Sequence, residues 1–424
     1  MRGYTVSHRF NKASRGKFVA GAAAVAAAAK YSSINVIAAP TKELVVGLNV
    51  PLTGPYSDQG ADQLRAYRLA IEEINAHGGV MGMHLKESVG DDETKPPTAV
   101  ANAERMIDRD GAVMITGGSS TGTAVAVSAK CQAKNTIFMA TLTHGDETTG
   151  SGCHKVTFRR YNNAHMSAQA LAKTLLTKYG TGTWFHIVAD YTWGWSVRDN
   201  IRAVVEAKGA KTVKVVLLPL GTTDYSSALS QAQAAKPDVL VITEFGKDMV
   251  NCLNQAAQFG LTKSSKILVP LADEYMAKGT GDNFAGVVTT APYYYKYYYE
   301  KNPMSKRFID TFRAKYGVPP SNGAENAYMD IYLWKGAVER AGSPTAAGVA
   351  SKLEGYKFTV TKEPNEYYRT WDHQGISSCM VLEGVPLAER GGDVFAYAKV
   401  LEVHPGEQIA VSEAQSACKI DPAV

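Results

Sequence analysis

Residues 43–79 read "ELVVGLNVPLTGPYSDQGADQLRAYRLAIEEINAHGG". The run from Leu44 to Val50 is apolar with almost no polar alternation, the pattern of a strand covered on both faces. Leu64, Tyr67, Ile71 and Ile74 then recur at helical spacing. Between strand and helix lies "LTGPYS", where Gly54 and Pro55 turn the chain tightly and Tyr56 stands ready to cover a neighbour. In an open α/β sheet, ligands bind beyond the carboxyl ends of strands, where helix N-termini offer free N–H groups. This loop is therefore a candidate wall of a binding site, although the same sequence also serves as a plain connector.

The pattern repeats along the chain. "AVMITGG", "TIFMAT", "WFHIVADY", "KTVKVVLLPL", "DVLVITEF" and "KILVPL" are further strand-like runs. Helical stretches such as the one carrying Ala103, Met106 and Ile107 separate them. That alternation predicts an α/β fold of doubly wound parallel sheets, and 424 residues are enough for two of them.

A second strand-to-helix loop, "ITGGSSTGT", combines Gly117 and Gly118 with the hydroxyls of Ser119, Ser120 and Thr121. It suits a carboxylate or a phosphate, and helix capping is the bland alternative. The P-loop lysine and the GxGxxG fingerprint are absent.

Residues 1–39 differ from the rest. Arg2, Arg9, Lys12, Arg15 and Lys17 precede the apolar run "FVAGAAAVAAAA", and no acid occurs before Glu43. This is the pattern of a removable export signal, so a periplasmic location is expected. "SRGKFV" is similar to the twin-arginine motif, with Gly16 in place of the second arginine. The net charge of +5 resides in this segment, because six of the 45 Lys and Arg fall there and none of the 40 acids. The remainder is near neutral and gives no electrostatic reason for nucleic acid or an anionic membrane as partner.

Five cysteines suit an oxidising compartment. The expected pairs are Cys131 with Cys153 and Cys379 with Cys418, each within one stretch of chain that must double back. Nine histidines are scattered without HExxH or other metal spacing, and no GxSxG occurs. No catalysis, metal or cofactor is expected. His144 reads as a hydrogen-bonding or solvent-facing side chain, and Asp91 to Glu93 as capping acids.

"VGLNVPLTGPYSDQGADQLRAYRLAIEEINAHGGVMG", "DDETKPPTAVANAERMI", "ADYTWGWSVRDNI" and "SNGAENAYMDIYLWKGAVERAG" together resemble the leucine/isoleucine/valine-type periplasmic substrate-binding proteins of ABC transporters. The resemblance runs from about Leu44 to about Val385. It implies a type I periplasmic-binding fold, two lobes joined by a three-strand hinge that closes on a ligand. The crossings fall at "HKVTFRRY", around "VTTAPYYYKYYY" and near "YYRTWDHQG". Lobe 1 is then 43–161 with 292–370, and lobe 2 is 162–291 with 371–424.

By position, the resemblance assigns Ser119, Ser120, Thr121, Thr141 and Thr143 to a ligand carboxylate. It assigns Tyr191, Trp193 and Phe245 to an aromatic wall, and Asp273 and Glu274 to the neighbourhood of the acid that meets an α-ammonium. Trp193 stands where the family commonly has Tyr, and the loop at Thr143 to Gly145 is one residue shorter. The tyrosine-rich run Tyr293 to Tyr299, read as an alternating strand, offers Tyr293 as a further candidate, with aromatic packing as the alternative.

The implied function is a monomeric receptor that captures an amino acid, branched-chain or related, and delivers it to a membrane permease. Urea, short amides, aromatic carboxylates, or ligand sensing without transport are the other readings.

Overall fold

The computed structural model describes residues 42–420, so the expected export signal lies outside the described residues. Five parallel strands form the first sheet: β1 (Glu43–Val50), β2 (His84–Asp91), β3 (Ala112–Gly117), β4 (Ile137–Ala140) and β5 (Thr157–Phe158). Their order is β2-β1-β3-β4-β5. Val46, Leu48 and Val50 of β1 are fully buried, as are Tyr67 and, nearly so, Ile74 of the helix Ser57–Ala76 that packs on them. The close approach of that helix to β1 requires Gly60, since a Cβ there would lie 1.8 Å from the Pro51 carbonyl oxygen.

The second sheet contains β6 (Thr183–Ala189), β7 (Lys211–Leu218), β8 (Val239–Thr243), β9 (Lys266–Leu268) and β10 (Val288–Ala291), which pair in parallel. Two strands from late in the chain extend it antiparallel, giving the order β15-β14-β10-β9-β8-β6-β7. They are β14 (Cys379–Gly384) and β15 (Ala398–His404), while β11 (Lys357–Phe358), β12 (Glu366–Tyr368) and β13 (Gly375–Ile376) form a small third sheet. The α/β expectation is met, and the antiparallel edge is an addition that parallel-strand patterning does not reveal.

The chain passes between the two large sheets three times. It leaves β5 for the helix Ala164–Lys178, which packs on β10 and β14. It returns after β10 to the helix Asn322–Ala341, which packs on the helix Ser57–Ala76 and β3. It crosses again through the small sheet to β14. At the crossings Arg159 N–H donates to the His373 carbonyl (3.2 Å) and Gly375 N–H to the Arg159 carbonyl (2.6 Å). Buried Arg160 is held there by Glu325 (2.8 Å) and Glu366 (2.9 Å), and a buried charge is tolerated only when paired in this way.

Two expectations are corrected. The disulfide joins Cys153 to Cys418, 265 residues apart, and Cys131, Cys252 and Cys379 are buried thiols. Cys131 lies in the helix Thr121–Ala133 and Cys379 begins a central strand, so both are enclosed by packing, whereas the C-terminal tail returns to the loop before β5. The tyrosine run is helical over Tyr295–Tyr299, and this turn buries Tyr295 and Tyr298 and sets Tyr297 edge-on to Tyr298 at 5.1 Å. Tyr293 and Tyr298 stack at 5.2 Å.

Candidate functional site

The carboxyl ends of the two large sheets face each other, and the loops that follow the strands meet. From the five-stranded half come Ser119, Thr121, Leu142 and His144; from the seven-stranded half come Tyr191, Trp193, Phe245 and Leu271. Together they enclose a cavity of about 10 Å³, roughly the room one water centre needs. Larger grooves occur beside the C-terminal tail (about 880 Å³) and beside Tyr297 (about 560 Å³), but these four-plus-four residues are the ones that bring the ends of both sheets to one point.

Thr121 and Ser119 sit at the start of the helix Thr121–Ala133, where unpaired N–H groups and the helix dipole favour an anion. Ser119 Oγ accepts from Gln63 Nε2 (2.8 Å), and Thr121 Oγ1 accepts from the Gly145 N–H (2.9 Å). Ser120 turns inward and caps its own helix by accepting from Thr123 N–H (3.2 Å).

The opposite wall is aromatic. Trp193 meets Phe245 at 6.1 Å edge-on and Tyr191 at 6.0 Å, and Tyr56 meets Phe245 at 5.3 Å. The tyrosine of the opening loop therefore covers the cleft: its hydroxyl is 2.7 Å from that of Tyr191 across the two halves.

Further bonds span the halves. Gln59 Nε2 donates to Asp273 Oδ2 (2.8 Å), Tyr275 Oη donates to Asp62 Oδ1 (2.7 Å), and Lys247 Nζ donates to Ser57 Oγ (2.7 Å). Asp273 also caps the helix Glu274–Thr280, accepting from Tyr275 N–H (3.0 Å) and Met276 N–H (2.9 Å). Burial raises its carboxyl to about 6, opposed by these donors, so it is mainly ionised at neutral pH. Glu274 is fully buried with neither carboxyl oxygen hydrogen-bonded among the described residues. Burial, then the charge of Asp273, pushes it well above the usual carboxyl range, so of the two acids Asp273 is the anion.

The sequence-derived candidates thus divide. Ser119, Thr121, Tyr191, Trp193 and Phe245 line the cavity, whereas Asp273 lies outside the lining and connects to Ser119 only through Gln59 and Gln63. Thr141 lies in a separate buried network, donating to Asp330 Oδ2 (2.6 Å). Thr143 Oγ1 is 2.8 Å from Thr148 Oγ1, and Tyr293 Oη is 2.6 Å from Ser305 Oγ. Leu142, Leu271, Gln59, Gln63 and His144 are the participants that sequence reading missed or read otherwise. Of the two readings the sequence left for His144, the hydrogen-bonding one holds: the ring is buried and bonded to Trp193 and Ser167. Its place immediately after the β4 loop threonines was the available signal, and the two glutamines lie on the helix that follows the opening loop.

A family model described as "Periplasmic binding protein" matches residues 43–390. The chain belongs to the periplasmic binding protein family. This binding protein is 26% identical over 339 residues to the leucine-, isoleucine-, valine-, threonine- and alanine-binding protein of Pseudomonas aeruginosa, covering 80% of this chain and 87% of that one. A periplasmic binding protein from Burkholderia mallei superposes with a TM-score of 0.83 at 26% identity, over 89% of this chain and 98% of that one. A solute-binding protein of an ABC transporter from Rhodopseudomonas palustris, in complex with 3,4-dihydroxy benzoic acid, shares the fold at a TM-score of 0.77 and 20% identity, over 86% and 98% of the respective chains. The family binds solutes and does not catalyse, and two α/β halves around a cleft are its type I architecture.

Proposed function

We propose that this binding protein is the periplasmic receptor of an ABC importer, a monomer that encloses a carboxylate-bearing solute of the branched-chain amino-acid class between its lobes and passes it to a permease. The lobes are 43–161 with 292–370 and 162–291 with 371–424. The observation that carries the reading is the convergence of a helix N-terminus with two hydroxyls from one half on three aromatic rings from the other. The solute carboxylate docks first at Ser119 and Thr121. Closure then adds Tyr191, Trp193 and Phe245, and Asp273 supplies the counter-charge an enclosed α-ammonium requires. A solute larger than water displaces the aromatic wall from the arrangement described above, so entry is coupled to lobe opening. No cofactor takes part.

One observation favours a second reading: the lining holds three aromatic rings and no carboxylate, which suits an aromatic carboxylate lacking an ammonium. A thermal-shift panel on unfolded and refolded protein, covering aliphatic amino acids, urea, short amides and benzoates, separates the two. At about 100 times the dissociation constant a ligand adds roughly 2.7 kcal/mol, which is visible as a raised melting temperature. With an amino acid, Asp273→Asn is expected to weaken binding at least about tenfold, the cost of an ammonium left without its counter-ion. A benzoate response that Asp273→Asn leaves intact selects the second reading. No response from any class overturns both.

A further inference from the structure

His144 belongs to the loop after β4, in the five-stranded half, yet both ring nitrogens are bonded to the seven-stranded half. Nδ1 lies 3.1 Å from Trp193 Nε1, and Nε2 lies 2.7 Å from Ser167 Oγ. An indole N–H only donates, so Nδ1 must offer its lone pair and Nε2 must carry the proton, donating to Ser167. A doubly protonated ring would point an N–H at the indole N–H. It would lose that bond and bury an unpaired cation at a side chain only 3% exposed.

We propose that His144 is a pH-sensitive pin of lobe closure: its neutral ring holds Trp193 against the cavity, and protonation at mildly acidic pH releases the indole, opens the cleft and weakens solute binding. The inference rests on solute capture between the lobes and adds its regulation.

The groups around the ring reinforce this polarity. Arg159, fully buried, donates from Nη1 to the carbonyls of Thr143 (3.5 Å) and Gly145 on either side of His144, which sets a fixed positive charge beside it. Tyr161 stands edge-on at 6.3 Å, with its hydroxyl given to Asn322 Oδ1 (2.9 Å). Beyond Ser167 lie Thr290 Oγ1 (3.3 Å) and the thiol of Cys379 (4.0 Å), which burial raises to about 12. Asp146, two residues along the loop, is occupied by Asn200 Nδ2 (2.6 Å) and the His165 N–H (3.0 Å). Glu147 follows it, its carboxyl raised by burial. Tyr191, on the Trp193 side, bonds Tyr56. Burial and Arg159 press the imidazole down to about 3 in this arrangement.

With the lobes apart, the ring meets water and loses its burial penalty, so it takes up its proton more readily, with about 6.5 as the upper limit because Arg159 stays beside it. The open form then binds more protons than the closed one at acidic pH, and closure is disfavoured by up to about tenfold per pH unit. Between pH 7.5 and 5 the closed form should lose at most about thirtyfold.

The test reads lobe separation by electron–electron resonance between nitroxides at Lys86→Cys and Lys208→Cys, exposed positions on the two halves. Titration calorimetry with L-leucine and with benzoate runs alongside. The wild type should show a longer distance at pH 5 than at pH 7.5, and any probe that binds should weaken severalfold, up to about thirtyfold. His144→Asn, which places an amide oxygen near the Nδ1 position and does not titrate, should show no pH dependence in either readout. An unchanged wild-type distance, or a pH dependence retained in His144→Asn, overturns the pin. If neither probe binds at either pH, the proposed solute class fails while the distance still decides the pin. Should His144→Asn not fold, ring ¹⁵N shifts of the wild type decide: an Nε2–H tautomer at pH 7.5 that becomes imidazolium at pH 5 supports it, and an Nδ1–H tautomer overturns it.

Discussion

His186 lies in β6 with its side chain fully buried and neither ring nitrogen hydrogen-bonded among the described residues. Burial, with Arg202 a smaller contributor, lowers the ring to about 3, so the folded protein holds it neutral. The unfolded chain protonates the same ring near 6.5 and therefore binds more protons between pH 6.5 and 3. Stability from this group is full above pH 6.5 and is lost as pH falls, by about 1.4 kcal/mol per pH unit. His186→Leu should flatten the fall in unfolding free energy between pH 6.5 and 5 by about 2 kcal/mol in all, measured by urea titration at each pH. A slope equal to that of the wild type would mean the ring is hydrated or paired. Ser119 and Thr121 follow a strand directly, so strand-end position pointed to them, and Tyr191, Trp193 and Phe245 came from the family resemblance; all five line the cavity. Thr141 and Tyr293 were equally polar and equally near strand ends, but their hydroxyls are claimed by Asp330 and Ser305, partners 189 and 12 residues away.

Elements that return from far along the chain decide the next level. Cys418 reaches Cys153 because the tail after β15 runs back beside the crossing strands, where Arg369 Nη1 donates to the Val411 carbonyl (2.6 Å). In the chain-entropy view such a long closed loop restrains the unfolded state strongly. Cys153→Ser or Cys418→Ser should cost about 2–5 kcal/mol in a denaturation experiment. Alkylation of the oxidised protein should label three thiols in denaturant and essentially none in the native state, since Cys131, Cys252 and Cys379 are buried. Five labelled thiols after unfolding without reductant would refute the pairing. Nearness in sequence does not predict this pair, because Cys131 faces inward on a packed helix and Cys379 on a packed strand.

For the whole molecule, closure depends on how near the two halves come. Gly246 opens the helix Gly246–Gln258 at a φ of +58°, and a Cβ there would lie 2.6 Å from the Pro55 carbonyl oxygen and 2.8 Å from Tyr56 Cδ1, both on the opposite half. The Lys247 N–H also donates to that Pro55 oxygen (3.0 Å). Gly246→Ala combines left-handed strain with a wedge between the lobes. It should lower ligand affinity by about tenfold or more and enlarge the radius of gyration of the ligand-saturated protein in solution scattering, with roughly 1 kcal/mol of strain in the fold itself. Affinity equal to wild type would show that the halves meet elsewhere when they close.

The sequence by itself determined the α/β class, the succession of buried strands, the strand-end loops with hydroxyls on one side and aromatics on the other, and the family. The class and the strands rest on periodicity and on residues adjacent in the chain, which short-range sterics and burial encode; the aromatic wall and the family rest on the resemblance of whole sequence blocks. Only the tertiary structure decided the Cys153–Cys418 bond, the antiparallel edge of the second sheet, the helical tyrosine run and the clamp of His144 between Trp193 and Ser167. Those depend on which distant surfaces bury each other, and pairing energy between distant segments leaves no local pattern in the chain.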